Sequence, residues 1–166
     1  MKRYRILVFS TSLITLTLLI MINVPIAAFP YIETYPYGIA SVADDQQAAN
    51  DFVLQEWEEW KSARITSSGA SGYKRVQRAA ASDYDSVSEG LAYGLLFSVY
   101  FDEQPLFDDL YGYVRHYLND NGLMAWHIDA QGNVVGEGGW DCATDADEDI
   151  ALALIFADKV WGSDGS

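Results

Sequence analysis

The chain has 166 residues and a formal net charge of −14. Three of its ten basic residues (Lys2, Arg3, Arg5) stand in the first 28 positions, which hold no acid; the remainder sets seven basic residues against 24 acidic ones. That excess disfavours nucleic acid and anionic membrane as partners of the folded part and leaves a neutral or cationic substrate open.

Residues 1–28 read as an export signal. A basic start precedes an apolar stretch over residues 6–22, and the small residues Ala27 and Ala28 follow Pro25. Cleavage is expected near Ala28. An uncleaved anchor is the other reading, and the only expected route to a membrane. The stretch is short for a span and is diluted by Ser10, Thr11, Ser12, Thr15 and Thr17. Either way the rest of the chain is expected outside the cell. Residues 29–43, rich in Pro and Tyr, form an extended lead-in.

A helix is expected over residues 44–63, with Ala49, Phe52, Val53, Trp57 and Trp60 at helical spacing. Residues 66–87 are loop-like and contain the one basic cluster of this part, Tyr73 to Arg78. Residues 88–101 form a second helix, apolar on nearly every face and therefore buried all round. Pro105 opens a third, on which Leu106, Leu110, Tyr113, Val114 and Tyr117 make one apolar stripe. That helix lies outside, half exposed. Helical period is lost over residues 119–140, where Asp129-Ala130-Gln131-Gly132 turns a short hairpin. A last helix starts where Thr144 or Asp145 caps it and is again buried on most sides. Inner helix, outer helix, loop and inner helix repeat at about 55 residues, which predicts an all-α toroid of helical hairpins with loops at one rim. Six such hairpins need about 300 residues or more, so the chain is expected to supply about half of one.

Chemistry concentrates at two helix starts. Asp145, Asp147, Glu148 and Asp149 head the last helix, and Glu89 heads the second, 56 positions before Asp145. A helix N-terminus favours negative charge but rarely needs this much. Two carboxylate-headed buried helices suggest one acidic cleft, as acid–base hydrolysis of a glycosidic bond requires. Glu89 either caps its helix or acts as a general acid. In the second role, burial or a like charge such as Asp145 must favour its protonated form. Calcium is a rival reading of the Asp145, Asp147, Asp149 spacing. An EF-hand loop would then need Gly and Glu where Ile150 and Phe156 stand. Two histidines and the single Cys142 make a zinc site improbable and an internal disulfide impossible. His127 reads as structural. No phosphate loop or dinucleotide fingerprint is present, and neither a metal nor a cofactor is expected. Aromatic residues are abundant (Trp 5, Tyr 11, Phe 7). Most fill a core, but Trp126, on the hairpin joining the two acidic motifs, suits a sugar-stacking platform better.

The run Ala143-Thr144-Asp145-Ala146-Asp147-Glu148-Asp149-Ile150-Ala151-Leu152-Ala153-Leu154-Ile155-Phe156-Ala157 resembles the signature of glycoside hydrolase family 8, and Ser88-Glu89-Gly90-Leu91-Ala92-Tyr93-Gly94-Leu95-Leu96 resembles its second hallmark. The likeness extends from Tyr35 to Gly162. It implies an (α/α)6 barrel, here its first half, with residues 44–166 as the N-terminal part of a catalytic domain. It also implies inverting endo-hydrolysis of a β-1,4-linked glucan of cellulose type. By the resemblance Glu89 is the proton donor. Asp145 holds the distorted central sugar and helps order the attacking water, and Trp126 stacks at a subsite. Tyr93, in the second hallmark, is a further substrate-binding candidate. The family's general base lies far downstream, and no position here matches it, so the chain alone is expected to be inactive or nearly so and poorly folded, with inner helices such as residues 91–101 left uncovered. Chitosanase, mixed-linkage glucanase and xylanase are alternatives within the family, chitosan being mildly favoured by the charge. A carbohydrate-binding remnant without the base is an alternative outside catalysis.

Overall fold

The computed structural model describes Phe29 and residues 45–162. The expected export signal, the lead-in beyond Phe29 and residues 163–166 lie outside the described residues. In chain order the elements are α1 (Gln46–Arg64), β1 (Ile65–Thr66), β2 (Arg75–Val76), β3 (Ser86–Val87), α2 (Ser88–Tyr100), α3 (Gln104–His116), β4 (His127–Ile128) and α4 (Thr144–Trp161). Two 3-10 turns, Ala80–Ser82 and Glu137–Trp140, punctuate the loops. The helices follow the expected order, and α2, the expected inner helix, packs against both α3 and α4.

The inner helix α2 has no charged residue after Glu89, and it sinks Leu91, Ala92, Leu95, Leu96 and Val99 into the core. Gly94 sets how closely its neighbours approach. A Cβ there would meet Val76 Cγ2 at 2.8 Å and Leu110 Cδ1 at 3.0 Å, so β2 and α3 press against the helix where a side chain is missing. The outer helix α3 carries Pro105 in its first turn and buries the expected stripe of Leu106, Leu110, Tyr113 and Val114, together with Phe107.

Two expectations of burial need correction. On α4 only Ala146, Ile150, Ala153 and Ala157 are buried. These residues, mostly small, recur at helical spacing and let α4 lie close along α2. Its end also touches α3, through Trp161 against Phe107, and Asp147 reaches the Met124 amide, but Ile155 is 64% exposed. On α1 only Asn50 and Trp57 are buried, and Phe52 is 61% exposed. Its grip comes from its second half. There Trp57 stacks on Phe101 at 4.9 Å, donates its indole N–H to Glu103 Oε1 at 2.8 Å, and lies against Trp60. The inner helix with more uncovered surface is therefore α4, whereas residues 91–101, expected to be uncovered, pack against α3, α4 and β2 except at Tyr93 and Tyr100, which stay exposed.

Residues 66–87 hold more than loop. β1 and β2 pair antiparallel, Ile65 opposite Val76. β3 pairs antiparallel with β4, Ser86 opposite Ile128 and Val87 opposite His127. The hairpin expected around residues 129–132 forms, with a bridge between Ile128 and Val134. Arg75 holds these pieces together from a fully buried position. Its guanidinium donates to Ser68 O at 2.6 Å, Tyr84 O at 2.8 Å, Ser86 Oγ at 2.9 Å and Ala130 O at 3.4 Å. One rigid fork thus ties three loop segments, a task for which a lysine has too few directed donors.

Candidate active site

The segment from Met124 to Ile128 is the shelf on which the site is built. Trp126 O accepts from Ser88 N at 3.0 Å, so the first residue of α2 hangs on it. Trp126 N donates to Asp141 O at 3.0 Å, and Met124 N donates to Asp147 Oδ1 at 3.1 Å, so the start of α4 hangs on it too. Ala125 N donates to Tyr117 O at 2.9 Å and fixes the shelf to the end of α3. Because both inner helices begin here, Glu89, Asp145 and Trp126 share one end of the helix pair. This is the convergence expected from the two acidic motifs.

Glu89 is half-buried in the first turn of α2. It is not a cap. The helix has no side-chain capping bond, and the bond the Glu89 carboxylate accepts is a long one, 3.4 Å, from the Ser88 hydroxyl. Capping of α4 by Thr144 or Asp145 is likewise overturned. Ala143 holds the cap position without a side-chain bond, and Thr144 is already helical, so both side chains lie beyond the position from which an oxygen reaches the free N–H groups. The Asp145 carboxylate is exposed and makes no bond to a described residue. Asp147 points inward instead. Its Oδ1 holds Met124, and its Oδ2 is buried without a partner. Asp145, Asp147 and Asp149 therefore sit on different faces of a continuous helix rather than around one loop, unlike EF-hand ligands. Among the described residues no three His, Cys, Asp or Glu side chains are placed to hold a metal ion.

Trp126 is 36% exposed, and its indole N–H donates to Gly138 O at 2.8 Å. Tyr93 is exposed one turn beyond Glu89 on α2, its ring 6.5 Å from that of Phe97. Four residues separate Glu89 and Tyr93, so they share a helix face. An apolar pocket of about 450 Å³ lies elsewhere, lined by Trp57, Trp60, Phe97 and Phe101 among others. Phe97 is eight residues along α2 from Glu89, a rise of roughly 12 Å, and this pocket belongs to the far end of the helix.

One charged group beside Glu89 escaped the sequence reading. Asp85, just before β3, receives two hydrogen bonds from the Arg78 guanidinium, one of 2.7 Å to Oδ1, and a further one from His127 Nε2 at 2.7 Å. The Arg78 contact, supported by His127, holds the Asp85 carboxyl below the usual carboxylate range. Asp85 in turn holds Arg78 above its ordinary value, and Glu89 adds to the same effect. His127 is thus structural, as expected. Arg78 stood in the basic cluster noted above, but nothing in that cluster indicated that β3–β4 pairing would carry Asp85 and His127 to it.

Comparison with known proteins gives the family. The family model described as "Glycosyl hydrolases family 8" matches residues 27–166. Endoglucanase 2 of Ruminiclostridium josui is 58% identical over 95% of this chain and 34% of its own length. Endoglucanase A of Acetivibrio thermocellus is 61% identical over 87% of this chain and 30% of its own length. A solved β-1,3-1,4-glucanase from Paenibacillus sp. X4 superposes with a TM-score of 0.73 at 38% identity, covering 86% of this chain and 38% of the other. The chain therefore spans about a third of the length of the curated relatives it matches.

Proposed function

This chain belongs to family 8 of the glycosyl hydrolases, and on that premise we propose that it carries the acid-bearing part of an endo-acting, inverting β-1,4-glucanase. Glu89 protonates the departing glycosidic oxygen. Asp145, without a bonded partner among the described residues, holds the central sugar and helps order the attacking water. Trp126 stacks against a sugar ring, and Tyr93 extends the binding surface along α2. The observation that carries this reading is the bond from Ser88 N to Trp126 O, which fixes the candidate acid one residue from the candidate platform. Inversion also needs a base on the opposite sugar face, about 6.5–9.5 Å from the acid, to leave room for water. In this reading the base falls in the two thirds of the relatives that the chain does not match, so the 166-residue chain alone binds glucan without cleaving it. The solved mixed-linkage glucanase favours a second substrate reading, which product analysis separates from the first.

The test is a chimera in which this chain replaces the matching region of Endoglucanase A. It is expected to shorten cellulosic substrate at internal bonds. Glu89→Gln is expected to lower kcat by about 10²–10⁴ while circular dichroism stays unchanged. Loss of less than tenfold would remove Glu89 from the acid role. Export is also proposed, on the basic start and apolar stretch of residues 1–28. Mass spectrometry of protein recovered from the medium should find a new N-terminus near Ala28. An intact Met1 on cell-bound protein would instead mean an anchor.

A further inference from the structure

We propose that Trp140 is a second sugar platform beside Trp126, extending the glucan-binding surface by at least one further ring; the proposal rests on the glucan reading above. Five tryptophans occur in the chain, and four have evident structural partners. Trp57 and Trp60 stack on each other, Trp161 packs on Phe107 and donates to Asp102, and Trp126 donates to Gly138 and lies against His127. Trp140 differs. Among the described residues its indole makes no hydrogen bond and no ring contact, and the residue is 46% exposed.

Its backbone, in contrast, is held firmly. Trp140 O accepts from Asn119 Nδ2 at 3.1 Å. Gly139 before it is buried so closely that a Cβ would meet Val134 Cγ1 at 2.8 Å and His127 O at 3.1 Å. The residues on either side are tied to Trp126 itself, Gly138 through its carbonyl to the indole and Asp141 through its carbonyl to the Trp126 amide. A rigid frame thus carries a half-exposed aromatic ring with a free N–H on the segment that is also bonded to Trp126. Nearly half of Trp140 is left in water, with no ring or hydrogen-bond partner among the described residues for its indole. A pyranose supplies what the ring lacks, an apolar C–H face to stack on and hydroxyl oxygens to accept the N–H.

The experiment is calorimetric titration of the 166-residue chain with cello-oligosaccharides of increasing length, for the native chain, Trp126→Ala, Trp140→Ala and Trp140→Phe, each checked by circular dichroism. Affinity is expected to rise with length in the native chain. Trp140→Ala should lose about tenfold on the longer oligosaccharides and little on the shortest, whereas Trp126→Ala loses on all. Trp140→Phe, which keeps an aromatic face and the fold, should retain most of the binding. If Trp140→Ala binds every length as the native chain does while Trp126→Ala is weakened, the Trp140 platform is refuted and the glucan reading stands. If the native chain binds no glucan at all, the glucan reading falls and the platform with it.

Discussion

Asp85 illustrates how much a single carboxylate can organise without touching substrate. It is buried, it anchors Arg78 and His127, and through Arg78 it sets the charge beside Glu89. Its carboxyl is held below its ordinary value, chiefly by the Arg78 hydrogen bonds. For a depressed carboxylate, the stabilisation is complete above the unfolded value and is lost as pH falls through the folded one. Asp85→Asn is therefore expected to cost roughly 1–3 kcal/mol at about pH 6, and less as pH falls below the ordinary carboxylate range toward about pH 2. Urea unfolding at the two pH values measures it, and an equal cost at both would contradict the ionic role. At this scale the sequence was partly legible. Glu89, Asp145 and Trp126 could be singled out because acids at helix starts are conspicuous. Asp85, Asp147 and Arg75 could not, because their partners lie across turns whose pairing no local pattern encodes.

Helices were the most legible elements. A continuous apolar run placed α2 and a periodic apolar stripe placed α3 within a residue or two, and Pro105 marked the start of α3. The degree of burial was not legible. An apolar composition says that a helix has something to cover, not which neighbour covers it. Four buried positions of α4 meet α2, while Ile155 on another face stays in solvent. In a ring of hairpins that face packs against the next hairpin. Ile155→Lys is expected to change the stability of this chain by no more than about 0.5 kcal/mol, as an exposed substitution does. In the chimera with Endoglucanase A the same change should cost about 2 kcal/mol or more, because a charge then enters an apolar contact. Equal effects in the two proteins would mean that this face is not covered by ring closure. The short strands β1 to β3 were missed for a different reason: two-residue pairings carry no periodicity, and β3 and its partner β4 are about 40 positions apart in sequence.

For the whole molecule, the account is that two inner helices begin on one shelf, and that this shelf carries an acid, a sugar-holding carboxylate and aromatic platforms. The repeat of inner and outer helices made the toroid legible before any geometry was known, and the family match and structural likeness agree with it. The central claim is that Glu89 supplies the proton to the departing oxygen. The most direct measurement compares Glu89→Ala with the native residue, in the chimera, on a cello-oligosaccharide and on a dinitrophenyl cellobioside, whose leaving group departs without protonation. The account predicts a loss of about 10²–10⁴ on the oligosaccharide and a far smaller loss on the aryl glycoside. An equal loss on both substrates would contradict it, leaving Glu89 a part of the binding surface and not the acid.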